Sequence, residues 1–189
     1  MDKSEKPRKK GKKAEAAHDR WVLRIFLIAI ALSAALSLLS ETTLNGAGIL
    51  VAVIVLVIFI LLGILFDIIG VAVTAADERP FHSMAAHREA GAGEALGLLH
   101  NASRVSSFCN DVVGDICGIV SGTTGAVIAA RAQSALNAQT VLFSVGVTAL
   151  ISGLTIGGKA LGKNFAISRS TQVVFTAGKF LHFFHRSGN

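Results

Sequence analysis

Residues 49–66 read ILVAVIVLVIFILLGILF, eighteen positions without a charge or a proline, and this stretch decides the fold. About 20 helical residues rising 1.5 Å each cross a hydrocarbon core of about 30 Å, so an uninterrupted run of this length is a membrane-span candidate. Working outward, residues 21–39 (WVLRIFLIAIALSAALSLL) form a second run, interrupted only by Arg24 near its start. The whole chain leans the same way: 189 residues, 52% apolar and 16% charged, with a mean hydropathy of +0.60. A body of this size hides only about 70% of its surface on folding, so the surplus apolar side chains must meet something other than water.

The reading is an all-α polytopic membrane protein. It has four transmembrane or re-entrant helical segments, a cytoplasmic helical hairpin and a C-terminal amphipathic surface helix. Segment one, 21–39, is a retained N-terminal anchor, since it exceeds the 7 to 15 apolar residues of a signal peptide and no Ala-x-Ala-like site follows. Segment two covers about 47–73. Residues 76–104 scatter Asp77, Glu78, Arg79, His82, His87, Arg88, Glu89, Glu94, His100 and Arg104 among Ala and Leu, as a cytoplasmic helical section would. Segments three (about 106–130) and four (about 140–156) are rich in small residues and are expected to prefer protein neighbours to lipid. Gly114, Gly118 and Gly122 form two consecutive Gly-x-x-x-Gly units for helix packing.

Charge gives the orientation. Residues 1–20 carry eight Lys/Arg against four acids, a composition that predicts a disordered cytoplasmic tail. The Arg131–Gln139 connection holds one positive charge, whereas Lys159, Lys163, Arg169, Lys179 and Arg186 follow segment four. The expectation is a plasma-membrane protein with both termini cytoplasmic. The tail and the last helix would meet anionic lipid. Nucleic acid is not expected, because no aromatic is interleaved with the basic residues to stack on bases. In the last helix, 170–186, Val173, Ala177, Phe180, Leu181 and Phe184 share a face; docking on a partner helix is the alternative to a membrane surface.

Chemistry-bearing residues sit inside the apolar segments, where a carboxylate costs about 2.5 to 3.5 kcal/mol to insert. Asp67 interrupts segment two, and Asp111 and Asp115 stand one turn apart on segment three. Their face continues through Ser107, Gly114, Gly118, Ser121 and Gly122, with Asn110 beside it, forming a polar seam. Hard cations such as Mg²⁺ or Na⁺ take oxygen ligands of these kinds. The competing reading places the aspartates at the interface, paired with Lys159 or Arg104. Cys109 and Cys117, eight positions apart, are about 12 Å apart along a helix and cannot bond. His82, His87 and His100 match no metal-ligand spacing and read as solvated-face residues. Residues 153–159 lack the P-loop spacing and are followed by Ala160 rather than Ser/Thr. No catalytic set appears, so an enzyme is not expected.

The order of these features resembles the membrane module of the cyclin M / CorB / CorC magnesium transporters, over residues 48–186. Phe66-Asp67-Ile68-Ile69-Gly70 stands where that family tends to have Phe-Ser-x-x-Glu. Arg104-Val105-Ser106-Ser107 precedes the polar span as in the family, and Asn110, Asp111 and Asp115 fall near its Asn-bearing helix. Gly158-Lys159-Ala160-Leu161-Gly162-Lys163-Asn164-Phe165-Ala166-Ile167 is similar to its Gly-Glu-apolar-apolar-Pro-Lys-x-apolar-Ala turn.

The resemblance implies a homodimer and a bound Mg²⁺ or other hard cation, with no organic cofactor. The leading expectation is divalent-cation transport, or a regulatory form derived from it, through the polar seam of segment three, with Asp67, Asp111 and Asp115 of this chain binding or guiding the ion and Ser107 and Asn110 adding neutral oxygens. Gly158, Lys159, Gly162 and Lys163 would form the turn, with Lys159 as a tethered countercharge. Two departures stand out: the turn's acid is Lys159 here, and the CBS domains that usually follow are not in these 189 residues. A relocated ion site and an internal Lys159–Asp bridge are both physically allowed. The rival function is a non-transporting scaffold or regulatory homologue that recruits a partner or lipid.

Overall fold

The computed structural model describes residues 6–135 and 141–187, with side chains from 20 to 135 and from 141 to 185. Its elements are α1 (Lys6–Leu44), α2 (Ile49–Ala75), α3 (Arg79–Ala86), α4 (Ala92–His100), α5 (Ala102–Ser107), a π-helical segment (Phe108–Gly114), α6 (Asp115–Ala135), α7 (Val141–Ser168) and α8 (Ser170–Ser187). Among the described residues, four helical stretches are long and apolar enough to cross a membrane: Arg20–Leu44, Ile49–Ala75, Ala102–Ala135 and Val141–Ser168.

Helix α2 is the hub, contacting α5, the π segment, α6, α7 and α8. Packing runs along it in three clusters. Near the α1–α2 turn, Leu44, Ala52, Leu56 and Ile128 meet. In the middle, Phe59 packs on Val112, Val113, Ile116, Cys117 and Val120, while Ile25, Ala29, Leu32 and Leu36 of α1 cover them. At the far end Ala72, Val73, Phe81, Ala95, Leu99, Ala166 and Val174 join α2, α3, α4, α7 and α8. Pro80 lies in the first turn of α3, where its missing N–H breaks no helical bond.

Several boundaries differ from the sequence reading. Where a disordered tail is expected, α1 already begins at Lys6. A helix that exists can lengthen without a new nucleation cost, and Lys, Ala and Glu are good helix formers. Residues 1–5 of that tail, its side chains up to Asp19, positions 136–140 of the segment three to four connection, and the side chain of Arg186 lie outside the described residues. The expected turn at 158–167 is also corrected: α7 continues unbroken to Ser168. Gly158 and Gly162 are contact points within that helix, where an added Cβ would meet Ile64 and Ile68 of α2. Without a proline the segment keeps its backbone bonds, so nothing ends the helix there.

The expectation that segments three and four both seek protein neighbours holds fully for segment three and along one face for segment four, which packs on α2 and α6. The most apolar window of Ala102–Ala135 is 61% buried, whereas that of Val141–Ser168 is 0% buried. Helix α7 touches the bundle along one stripe only. Helix α8 docks on α4 and α2 through Val174 and Gly178, both buried, with Val173 of the stripe read from the sequence packed beside them. Gly178 and Gly91 make this crossing possible, since a Cβ on Gly178 would collide with the Gly91 carbonyl oxygen. Phe180, Leu181, Phe183 and Phe184 remain exposed.

Candidate functional site

The polar residues of the apolar segments divide into an inward group and an outward group. The inward group forms where α2, the π segment and α7 converge. Lys159 Nζ of α7 lies 3.4 Å from Asp67 Oδ1 of α2. It also donates to the Gly114 carbonyl oxygen at 3.4 Å. The two side chains keep 25% and 22% of their surface accessible, so the pair is half-buried. Asp67 and Lys159 each penetrate the bundle because the partner is there: an unpaired charge at this depth would be expelled or neutralised.

Glycine makes the room. A Cβ on Gly114 would lie 2.7 Å from Asp67 Oδ1 and 3.4 Å from Lys159 Nζ, inside the space the ion pair uses. One helical turn before Asp67, a Cβ on Gly63 would come to 3.1 Å from Cys117 Cβ. Three residues after Asp67, Gly70 lies directly against the Asn110 side chain. Asn110 donates from Nδ2 to Ser106 Oγ at 3.2 Å, while its Oδ1 is buried without a hydrogen-bond partner.

The π segment aligns these groups. Each π turn takes an additional residue, which rotates the following helix relative to an α-helical path, and such bulges recur at functional sites. Here Cys109, Val112, Val113 and Gly114 turn into the bundle. The sequence reading gave an unbroken α-helix through Ser107, Asp111 and Asp115, and nothing in residue spacing alone marks the bulge.

The outward group is Asp111 and Asp115. Both are exposed, and so is Gly122 beyond them. Cβ atoms on Gly118 or Gly122 would meet nothing within 4 Å. The seam read from the sequence is therefore split: Asp111, Asp115 and Gly122 are exposed, whereas Gly114 and Ser121 are buried among the chain's own helices. Gly125 makes the close approach to α7 instead, against Ile151. Ser107 is half-buried, Lys163 is exposed and Gly162 is buried. Of the five oxygen donors read from the sequence, Asp67 belongs to the inward node, Ser107 and Asn110 are half-buried, and Asp111 and Asp115 are exposed. Among the described residues no three His, Cys, Asp or Glu side chains stand where they could hold a metal ion.

Other contacts outside the spans escaped the sequence reading. His82 and His100 each place Nε2 3.9 Å from Glu78 Oε2. His182 Nδ1 of α8 lies 2.7 Å from Glu94 Oε1 of α4, and this hydrogen bond is the main reason the Glu94 carboxyl is held below its ordinary range. Comparison with protein-family models, with curated proteins and with solved structures gives no match.

Proposed function

We propose that this chain is a multi-pass plasma-membrane protein related to the membrane module of the magnesium transporters, and that it serves as a non-conducting scaffold or regulatory form. What carries the reading is the position of Lys159. By the resemblance, an acid at this point of the last span belongs to the magnesium site. Here an ammonium reaches the carboxylate at 3.4 Å and the Gly114 carbonyl at 3.4 Å. These are oxygen atoms of the kind a hard cation uses, and a tethered cation already holds them. A free cation about 4 Å from that ammonium would meet about 4 kcal/mol of repulsion per unit charge at an effective dielectric of about 20.

The four apolar helices support the membrane placement. In the scaffold reading both termini are cytoplasmic. Phe180, Phe183 and Phe184 lie against the bilayer surface, with the basic tail near anionic headgroups. The outward strip of Asp111, Asp115, Gly118 and Gly122 is then the face for a second copy of the chain, since carboxylates on a span need water, a headgroup or protein beside them.

That same strip favours a second reading, in which two copies line a cation path between their Asp111 and Asp115 carboxylates. A flux assay decides between them. Liposomes containing a magnesium-sensitive dye and the reconstituted protein should fill no faster than empty liposomes. Flux above that background from the wild type, abolished by Asp115→Ala, would overturn the scaffold reading. Lys159→Glu, which restores an acid, should gain a Mg²⁺-dependent rise in thermal stability that the wild type lacks.

A further inference from the structure

The end of the bundle that carries the α1–α2 turn holds a polar cleft distinct from the Asp67–Lys159 node. It encloses about 400 Å³ between the last turns of α1 and the second half of α6. Its lining runs against the composition around it: Ser37, Ser40 and Glu41 of α1 stand across from Thr123, Thr124 and Arg131 of α6. The three α1 residues are spaced i, i+3, i+4 and so share one helix face. Ser40 and Thr124 join their hydroxyls at 3.2 Å and are 5% and 1% exposed, tying the two helices together. Thr123 donates to the Val120 carbonyl at 2.9 Å, so its oxygen is left as an acceptor.

Arg131 is held in place. Its Nη1 donates to the Ala47 carbonyl at 2.6 Å and its Nη2 to the Leu44 carbonyl at 2.8 Å, closing the end of α1. A guanidinium has five N–H donors, so the remaining ones stay available. Glu41 is exposed, and among the described residues it forms no ion pair with Arg131. One fixed cation and one carboxylate therefore border the same cleft without cancelling each other. Val127 lines it, and Leu38 and Leu39 present exposed apolar surface on the neighbouring turn of α1.

The geometry points to a site for a zwitterionic headgroup, a phosphate on Arg131 and a primary ammonium on Glu41, with the threonine and serine hydroxyls between them. Arginine's planar donor fork suits phosphate oxygens, and the volume falls within the roughly 300–1,000 Å³ of small-molecule sites. A phospholipid so bound has its acyl chains beside Leu38 and Leu39. The inference rests on the membrane placement proposed above.

Thermal unfolding of the full chain in detergent tests it. Phosphatidylethanolamine at saturation should raise the midpoint by about 5 °C; phosphatidylglycerol, which has no ammonium, and phosphatidylcholine, whose ammonium has no N–H, should do less. Glu41→Gln, at an exposed position, should cut the phosphatidylethanolamine response to the phosphatidylglycerol level, and Ser37→Leu, which fills the cleft, should do the same. A rise with soluble glycerophosphoethanolamine supports the site and makes a free headgroup sufficient. Equal responses of the wild type to phosphatidylethanolamine and phosphatidylglycerol, or an undiminished response in both variants, would overturn it. Extraction of the chain from membranes by alkaline carbonate would defeat the membrane placement itself, whereas a retained chain with no headgroup preference defeats only the site.

Discussion

Asp67 and the pair Asp111 and Asp115 carry the same signal in the sequence, a carboxylate inside an apolar segment, yet they end in opposite surroundings. Asp67 turns into the bundle and meets Lys159 at 3.4 Å. Asp111 and Asp115 turn out of it and stay exposed. The difference teaches that insertion cost marks a residue as needing a partner without saying where that partner is. For Asp67 the partner is ninety-two residues away on the same chain. For the other two it must come from water, headgroups or another molecule.

Removing the inward partner should have the largest effect. Lys159→Met leaves Asp67 without its countercharge, and in a half-buried setting this should cost about 2 kcal/mol, below the 3 to 5 kcal/mol of a fully buried pair. Adding Asp67→Asn to that variant should recover most of the loss. Denaturation in mixed micelles reads both, and an unaltered midpoint in Lys159→Met would erase the contrast between the two groups.

A carboxylate outside the spans should respond less and in a pH-dependent way. The hydrogen bond from His182 depresses the Glu94 pKa. A carboxyl lowered on folding stabilises the fold fully above its unfolded value, near pH 4.3 for Glu. That contribution fades as the pH falls through the lower folded value. Hydrogen exchange along α8 should therefore accelerate under acid, and His182→Ala should remove the acid dependence. A wild-type α8 with the same protection at pH 3.5 and pH 6 would show that the Glu94 contact does not hold the helix.

The smallest effect belongs to the outward pair. Asp111→Asn and Asp115→Asn should each change monomer stability by no more than about 0.5 kcal/mol. If either matched Lys159→Met in detergent at monomeric dilution, the outward placement would be wrong.

Much of this was legible beforehand. The runs at 21–39 and 49–66 mark two of the four candidate helices, and the small-residue stretches mark the other two, the third within a few residues and the fourth about twelve residues short of its end at Ser168. A bridge between Lys159 and an aspartate was an allowed outcome. Illegible were the π segment at Phe108–Gly114, the continuation of α7 through Gly158 and Lys159, and the α8 stripe that docks. In the last case Phe180, Leu181 and Phe184 form the more apolar face, yet Val174 and Gly178 fit the narrow space over α4. Shape overruled hydrophobicity.

The sequence by itself determined that helices form, how many are long and apolar enough to cross a bilayer, and that a few charges inside them need partners. Those are local properties, set by run length, side-chain transfer energies and the helix period. Only the tertiary structure decided which carboxylate is paired, because one additional residue in a π turn rotates every later side chain about the helix axis. Pairing depends on the angular position of a neighbouring helix, and no count along a single chain contains that angle.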